Sequence, residues 1–158
     1  RTMPTTPVDC GSNKPILDLG ANVGYASRYF ANHFGDRKIL ALEPDQDNFE
    51  LLCQNVQCSK NIIPLQLAVG RFDGTSELSN PNSEGWARRY QMAEIGIEIV
   101  TVNTLMTKFN IDAWSIVKID VEGAEKYIFD GDPSWSARVD GLIIDIHHSC
   151  LKTVFRAL

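Results

Sequence analysis

The stretch ILDLGANVGYASRYF, Ile16 to Phe30, sets an apolar run around Asp18, two glycines and a helix-like pattern in direct succession. Ile16, Leu17 and Leu19 read as a buried strand. Gly20 and Gly24 then let the backbone turn tightly and approach a ligand closely, because neither carries a Cβ. From residue 24 to 34, Tyr25, Tyr29, Phe30 and His33 recur at helical spacing, and Gly35 stands where the helix should stop. Strand, glycine turn and helix form the start of a β-α-β unit, and ligands of open α/β sheets sit outside the carboxyl ends of such strands.

Four further runs follow, KILALE (38–43), NIIPLQLAV (61–69), SIVKIDV (115–121) and GLIIDIH (141–147). Together with ILDL (16–19) they make five strand candidates. Most are continuously apolar, as parallel strands covered on both faces are. Between them, residues 45–57 place Phe49, Leu52, Cys53 and Val56 on one helical face, with Asp45 or Asp47 as cap, and 123–129 give a shorter helix broken at Gly131 and Pro133. Glu125 and Lys126 read as its solvated face. Alternating strands and helices predict an α/β fold, a doubly wound three-layer sandwich with a mostly parallel sheet.

One domain spanning 1–158 is expected at this length, with residues 1–14 as a lead-in. Residues 72–100 interrupt the alternation and read as a loop with short extra strands over the sheet edge, a candidate substrate wall containing Trp86 and Tyr90. SCLKTVFRAL suggests a helix at the end of the chain, so the later strands of such a sheet are expected to be missing.

The composition is that of an ordinary globular domain, 44% hydrophobic and 22% charged. A net charge of -5 argues against a nucleic-acid partner, which would demand many Lys and Arg contacts to phosphate, and Arg88 and Arg89 read as a solvated pair. Cys10, Cys53, Cys58 and Cys150 lack zinc spacing and read as reduced structural thiols. No apolar run approaches the ~20 residues that cross a bilayer, so neither a membrane nor a leader is expected and a cytoplasmic location follows by default. A fragment that has lost a targeting segment is the alternative.

Three ligands compete for the glycine turn. A P-loop needs Lys and then Ser or Thr after its last glycine, where Tyr25 and Ala26 stand. A dinucleotide fingerprint starting at Gly20 needs glycines at 22 and 25, occupied by Asn22 and Tyr25. S-adenosylmethionine carries no phosphate and asks instead for groups that meet an ammonium, a carboxylate, a sulfonium and a ribose. Asp18 is placed to help meet the cationic end, directly or through water. Glu43, at the end of the second strand, can accept both ribose hydroxyls.

The successive motifs DLGANVG, ALEP, VKIDVEGAE and IIDIH resemble those of the FkbM family of S-adenosylmethionine-dependent methyltransferases, from about Ile16 to His147. The resemblance implies a Rossmann-like class I methyltransferase fold and O-methylation of a hydroxyl on a sugar or other small molecule, with S-adenosylmethionine as cofactor. By position, Asp18, Gly20, Asn22 and Gly24 would line the methionine end and Glu43 the ribose, while Ala68 and Val69 would flank the adenine. Asp120, Glu122 and Gly123 would form the floor beside the methyl group, with His147 facing them. Asn103 stands where the family commonly has Asp, and Asp145 where it has Glu.

Methyl transfer needs alignment above all, which can contribute ~7–11 kcal/mol, and a hydroxyl acceptor also needs a base. His147, Asp120 and Glu122 are the candidates, His147 first because its ordinary pKa lies near neutrality. Against these roles, Asp120 and Glu122 can simply cap the following helix, and His147 and His148 can be an exposed pair. No metal is expected, although Asp120, Asp145 and His147 form a set that suits a hard divalent ion. The competing functions are an S-adenosylmethionine-binding module without turnover and an NAD-dependent oxidoreductase. The oligomeric state is left open.

Overall fold

Every residue of β1 (Ile16–Leu19) and β2 (Ile39–Leu42) is buried, as their largely apolar character leads one to expect, and Asp18 is buried with them. These strands join β3 (Ile62–Leu65), β7 (Trp114–Ile119) and β8 (Val139–Ile144) in one parallel sheet of order β3-β2-β1-β7-β8. The computed structural model describes residues 13–75, 96–122, 124–146 and 150–157. The five-stranded parallel α/β sheet is the one expected.

Period-two alternation along the strands feeds two cores on opposite faces of the sheet. Ile16, Ile39, Ala41, Ile62 and Ile116 pack with Phe30 of α1 (Tyr25–His33) and with Leu52 and Val56 of α2 (Gln46–Val56). Leu17, Leu19, Leu40, Leu42, Val117 and Ile119 pack the other way. Their partners are α3 (Val102–Lys108), α4 (Glu125–Phe129), the 3₁₀ segment Pro133–Arg138 and α5 (Leu151–Ala157).

Several expectations need correction. On α1 the buried side chains are Ser27 and Phe30, while Tyr25 and Tyr29 are exposed and Tyr29 stacks on His33 with ring centroids 4.0 Å apart. The 25/29/33 stripe follows helical spacing but faces away from the sheet. The run 61–69 is two strands, because the chain turns after Leu65 and β4 (Ala68–Val69) pairs with β6 (Glu98–Val100) instead. Pro64, which lacks an N–H, is tolerated because among the described residues β3 is an edge strand bonded to β2 alone. β5 (Gly74–Thr75) completes this second, three-stranded sheet in the order β4-β6-β5. Of these strands β5 and β6 fall within 72–100; Trp86, Tyr90, Arg88 and Arg89 lie outside the described residues, as do Cys10 and the rest of the lead-in before Asn13.

Helix α3 was not anticipated, although Val102, Leu105, Met106 and Phe109 follow helical spacing and Thr101 caps its first turn by accepting from the Thr104 N–H. Asp45, rather than Asp47, caps α2 by accepting from the Asn48 N–H at 3.0 Å. Glu125, expected on a solvated face, is fully buried in the first turn of α4, beside Ala124 and Ile128. There the positive end of the helix favours a carboxylate.

Candidate cofactor and active site

The strand order reverses between β1 and β7, so the crevice of this sheet opens where Gly20 and Asp120 follow their strands. The two strand ends are tied by the Asp120 N–H, which donates to Leu19 O at 3.1 Å. Gly20 has φ +73°, and a Cβ built on it would overlap the Asp120 carbonyl oxygen and come within 2.9 Å of the carbonyl carbon. No other residue fits between these strands. Asn22 also lies in the left-handed region, at φ 51°, which Asn tolerates better than most residues. Its Oδ1 accepts from the Val23 N–H at 2.8 Å. Gly24, at φ +91°, begins α1 and packs against Leu52, whose Cδ1 would sit 2.7 Å from any Cβ there.

Every backbone N–H of this turn is engaged inside the protein. Those of Gly20 and Ala21 donate to Leu42 O, that of Asn22 to Glu43 Oε2, that of Val23 to Asn22 Oδ1 and that of Gly24 to Ala21 O. A phosphate-binding loop works by presenting such donors to an anion. This turn does not present them.

Glu43 follows β2 and is 6% exposed. Its Oε2 accepts from the Asn22 N–H at 2.8 Å and its Oε1 from the Asp45 N–H at 3.0 Å, so it joins the turn to the start of α2. Burial pushes its carboxyl above the ordinary 4.5, against the lowering effect of these two donors and of a hydrogen bond from the Asn48 side chain. With three donors on it, the carboxylate keeps about one lone-pair direction for a further donor.

Asp18 sits behind the turn with no exposed surface. Its Oδ2 accepts from Ser27 Oγ at 2.6 Å and its Oδ1 from Lys118 Nζ at 2.9 Å. Lys118 Nζ also donates to Gly20 O at 3.0 Å and lies 3.8 Å from Asp120 Oδ2. Direct contact with a ligand's cationic end is thus closed to Asp18, and any influence on it passes through Lys118 and the turn. The Asp120 side chain is 42% exposed. Glu122 follows it in the left-handed region at φ 54°, exposed at the turn before α4.

Asp18, Gly20, Asn22, Gly24, Glu43 and Asp120 are therefore gathered into one bonded frame. Ala68 and Val69 stand beyond the end of β3 with their side chains buried, Val69 in the main core and Ala68 with Ile97 and Ile99. Only their backbone is left for a ligand. Gly123, His147 and His148 lie outside the described residues, and among the described residues no cluster of His, Cys, Asp and Glu is arranged to hold a metal. Asn103 is remote from this frame in its bonding: Nδ2 donates to Asp132 Oδ2 at 2.9 Å, and Oδ1 accepts from Arg138 Nη2 at 3.2 Å. Lys118 is the residue of this frame that motif matching leaves out, although a lysine inside an apolar parallel strand must be paired, which is the signal in the sequence.

The model of the methyltransferase FkbM domain matches residues 9–153. The chain belongs to the FkbM methyltransferase domain family. This FkbM domain is similar to the hexuronic acid methyltransferase AglP of Haloferax volcanii, 24% identical over 135 residues that cover 84% of the chain and 55% of that protein. It thus spans about half the length of that curated relative. Its fold is similar to the crystal structure of methyltransferase FkbM from Methylobacillus flagellatus KT, with a TM-score of 0.65 and 16% identity over 90% of this chain and 36% of that one. Among the described residues no helix is long and apolar enough to cross a membrane.

The family implies S-adenosylmethionine, and the residues present fit it. Glu43 keeps acceptor capacity for a ribose hydroxyl beside its bonds to Asn22, Asp45 and Asn48, the turn offers no anion cradle, and the first turn of α1 has no side-chain cap that would compete for its N–H groups.

Proposed function

We propose that this FkbM domain binds S-adenosylmethionine across the carboxyl ends of β1, β2 and β7 and transfers its methyl group to a hydroxyl of a small molecule. The observation that carries this reading is the pairing of a glycine turn whose N–H groups are all engaged with a buried carboxylate that still has acceptor capacity. A dinucleotide also uses an acid for its ribose, but like a nucleoside triphosphate it needs N–H groups of the turn free for its phosphates, and these are not.

In this reading Glu43 holds the ribose hydroxyls, Gly20 to Gly24 line the methionine end, and the uncapped start of α1 favours its carboxylate. The backbone of Ala68 and Val69 borders the adenine. Bound there, S-adenosylmethionine supplies a methyl group on a sulfonium, which an acceptor oxygen takes in line as the sulfur leaves as a thioether. Asp120, exposed at the mouth, and Glu122 beside it are the described groups that can take the acceptor's proton; His147 is the third candidate. Because AglP is named for a hexuronic acid, a sugar acid is the acceptor class to try first.

The test is calorimetric titration of the purified chain with S-adenosylmethionine and with NAD, followed by methyl transfer to hexuronic acid glycosides. Binding of S-adenosylmethionine but not NAD, with methyl incorporation, is expected. Binding without transfer to any hydroxyl acceptor would make the domain a cofactor-binding module, and retention of NAD instead would overturn the reading.

A further inference from the structure

Lys118 is the next-to-last residue of β7, between Val117 and Ile119, both fully buried, and is registered directly opposite Asp18 of β1. An ammonium in such a strand is costly unless it is paired, and a single carboxylate would pair it. Lys118 does more than meet Asp18. Its nitrogen has three protons: it donates to Asp18 Oδ1 at 2.9 Å and to Gly20 O at 3.0 Å, and Asp120 Oδ2 stands 3.8 Å away. One cation therefore links the acid behind the turn, a carbonyl of the turn and the acid at its mouth.

The charges give this arrangement a direction. Asp18 and Asp120 with Lys118 sum to one net negative charge. Asp18 is fully enclosed and bonded by Ser27 as well, so the excess lies at Asp120, the exposed member. An ammonium or sulfonium entering the crevice meets that charge. Fixing Gly20 O also fixes the Gly20–Ala21 peptide plane, whose N–H is bonded on its other side to Leu42 O.

We propose that Lys118 is a positioning residue for the amino-acid end of the cofactor, setting the Gly20 carbonyl and the Asp120 carboxylate in one frame while Glu43 serves the nucleoside end; this rests on the reading of the site given above. The division of labour makes it testable with two ligands. S-adenosylhomocysteine has both ends, whereas methylthioadenosine has the nucleoside and thioether without the amino acid. Loss of Lys118 should weaken the first and spare the second.

Lys118→Met alone leaves Asp18 buried without its cation and endangers the fold, so the variant of choice is Asp18→Asn with Lys118→Met, which removes both charges together. Calorimetry with the two ligands on the purified wild-type chain and on this variant, with its thermal unfolding recorded, should show a folded protein. S-adenosylhomocysteine should bind about tenfold or more weakly, as expected when charge-assisted contacts are lost, and methylthioadenosine within about twofold of wild type. Equal binding of S-adenosylhomocysteine, or a parallel loss of both ligands, overturns the proposal. If the double variant does not fold, Lys118→Arg, which keeps the cation, is judged by the same selective loss. Glu43→Ala must weaken both ligands; a wild-type chain that binds neither refutes the cofactor site itself, a result distinct from failure of the Lys118 proposal.

Discussion

The Asn22 N–H donates to Glu43 Oε2 at 2.8 Å, making the turn after β1 and the acid after β2 one unit across 21 residues of chain. Removing the carboxylate therefore acts twice, by deleting the proposed ribose acceptor and by orphaning the donors of Asn22 and Asp45. Glu43→Ala should weaken S-adenosylmethionine by ~10- to 150-fold, since hydrogen bonds to a charged group are worth ~1.5–3 kcal/mol. Glu43→Gln should fall between, because its amide has one acceptor oxygen and must turn its NH₂ toward one of the two N–H groups. Calorimetric dissociation constants of the three proteins check the order.

Burial raises the Glu43 carboxyl above its ordinary 4.5, so the folded chain holds that proton more tightly than the unfolded chain does. The stability Glu43 contributes is then fully present below 4.5 and is lost as pH rises through the folded value. In the proposed site ribose hydroxyls would donate to the ionised form, so cofactor binding should release a proton in that window and tighten as pH rises through it. Titrations in buffers of different ionisation enthalpy measure the release, and the effect should vanish in Glu43→Gln. Affinity that is flat or weakens with rising pH would remove Glu43 from the binding site.

Gly20 is the position where substitution should do most harm for its size. Ala there would hold a left-handed φ at a cost of ~1–2 kcal/mol and would also drive its Cβ into the Asp120 carbonyl. Gly20→Ala should lower the thermal midpoint by more than that strain accounts for and should impair cofactor binding even where the protein remains folded. A thermal melt with and without S-adenosylmethionine reads both effects.

The sheet was legible because its central strands β1, β2 and β7 are buried on both faces and show as short runs that are mostly apolar; ILDL matches β1 residue for residue. The two glycines of GANVG likewise announced a tight turn, in which Gly20, Asn22 and Gly24 take positive φ. Less was legible where one pattern has two outcomes. Tyr25, Tyr29 and His33 have helical spacing but line the outer face, since Ser27 and Phe30 take the sheet side and Ser27 bonds Asp18. Helix α3 was hidden because the β-branched run before it reads as extended. Nor could the sequence tell that Asp18 would be sealed behind the turn, for that depends on Lys118 lying opposite it, 100 residues later.

Asn103 offers a test of why this chain departs from the family's common Asp. Its amide donates to Asp132 Oδ2 and to Asp132 O, and Arg138 donates to its oxygen, tying α3 to the 3₁₀ segment that Asp132 begins. Asp132 in turn accepts from the Ser134 N–H at 3.0 Å, and this bond, aided by the Ser134 hydroxyl and Arg138, holds its carboxyl below the ordinary 3.8. Asn103→Asp would replace a donor with a second carboxylate facing the first, and Arg138 alone could offset only part of that repulsion. The variant should melt below wild type at neutral pH, with a deficit that shrinks as acid protonates the pair. Because none of these atoms belongs to the Gly20–Glu43 frame, its affinity for S-adenosylmethionine should match that of wild type. Thermal melts across the carboxylate range, paired with one titration at neutral pH, separate the two effects; a variant that melts like wild type but binds the cofactor differently would move Asn103 from a structural tie to the site.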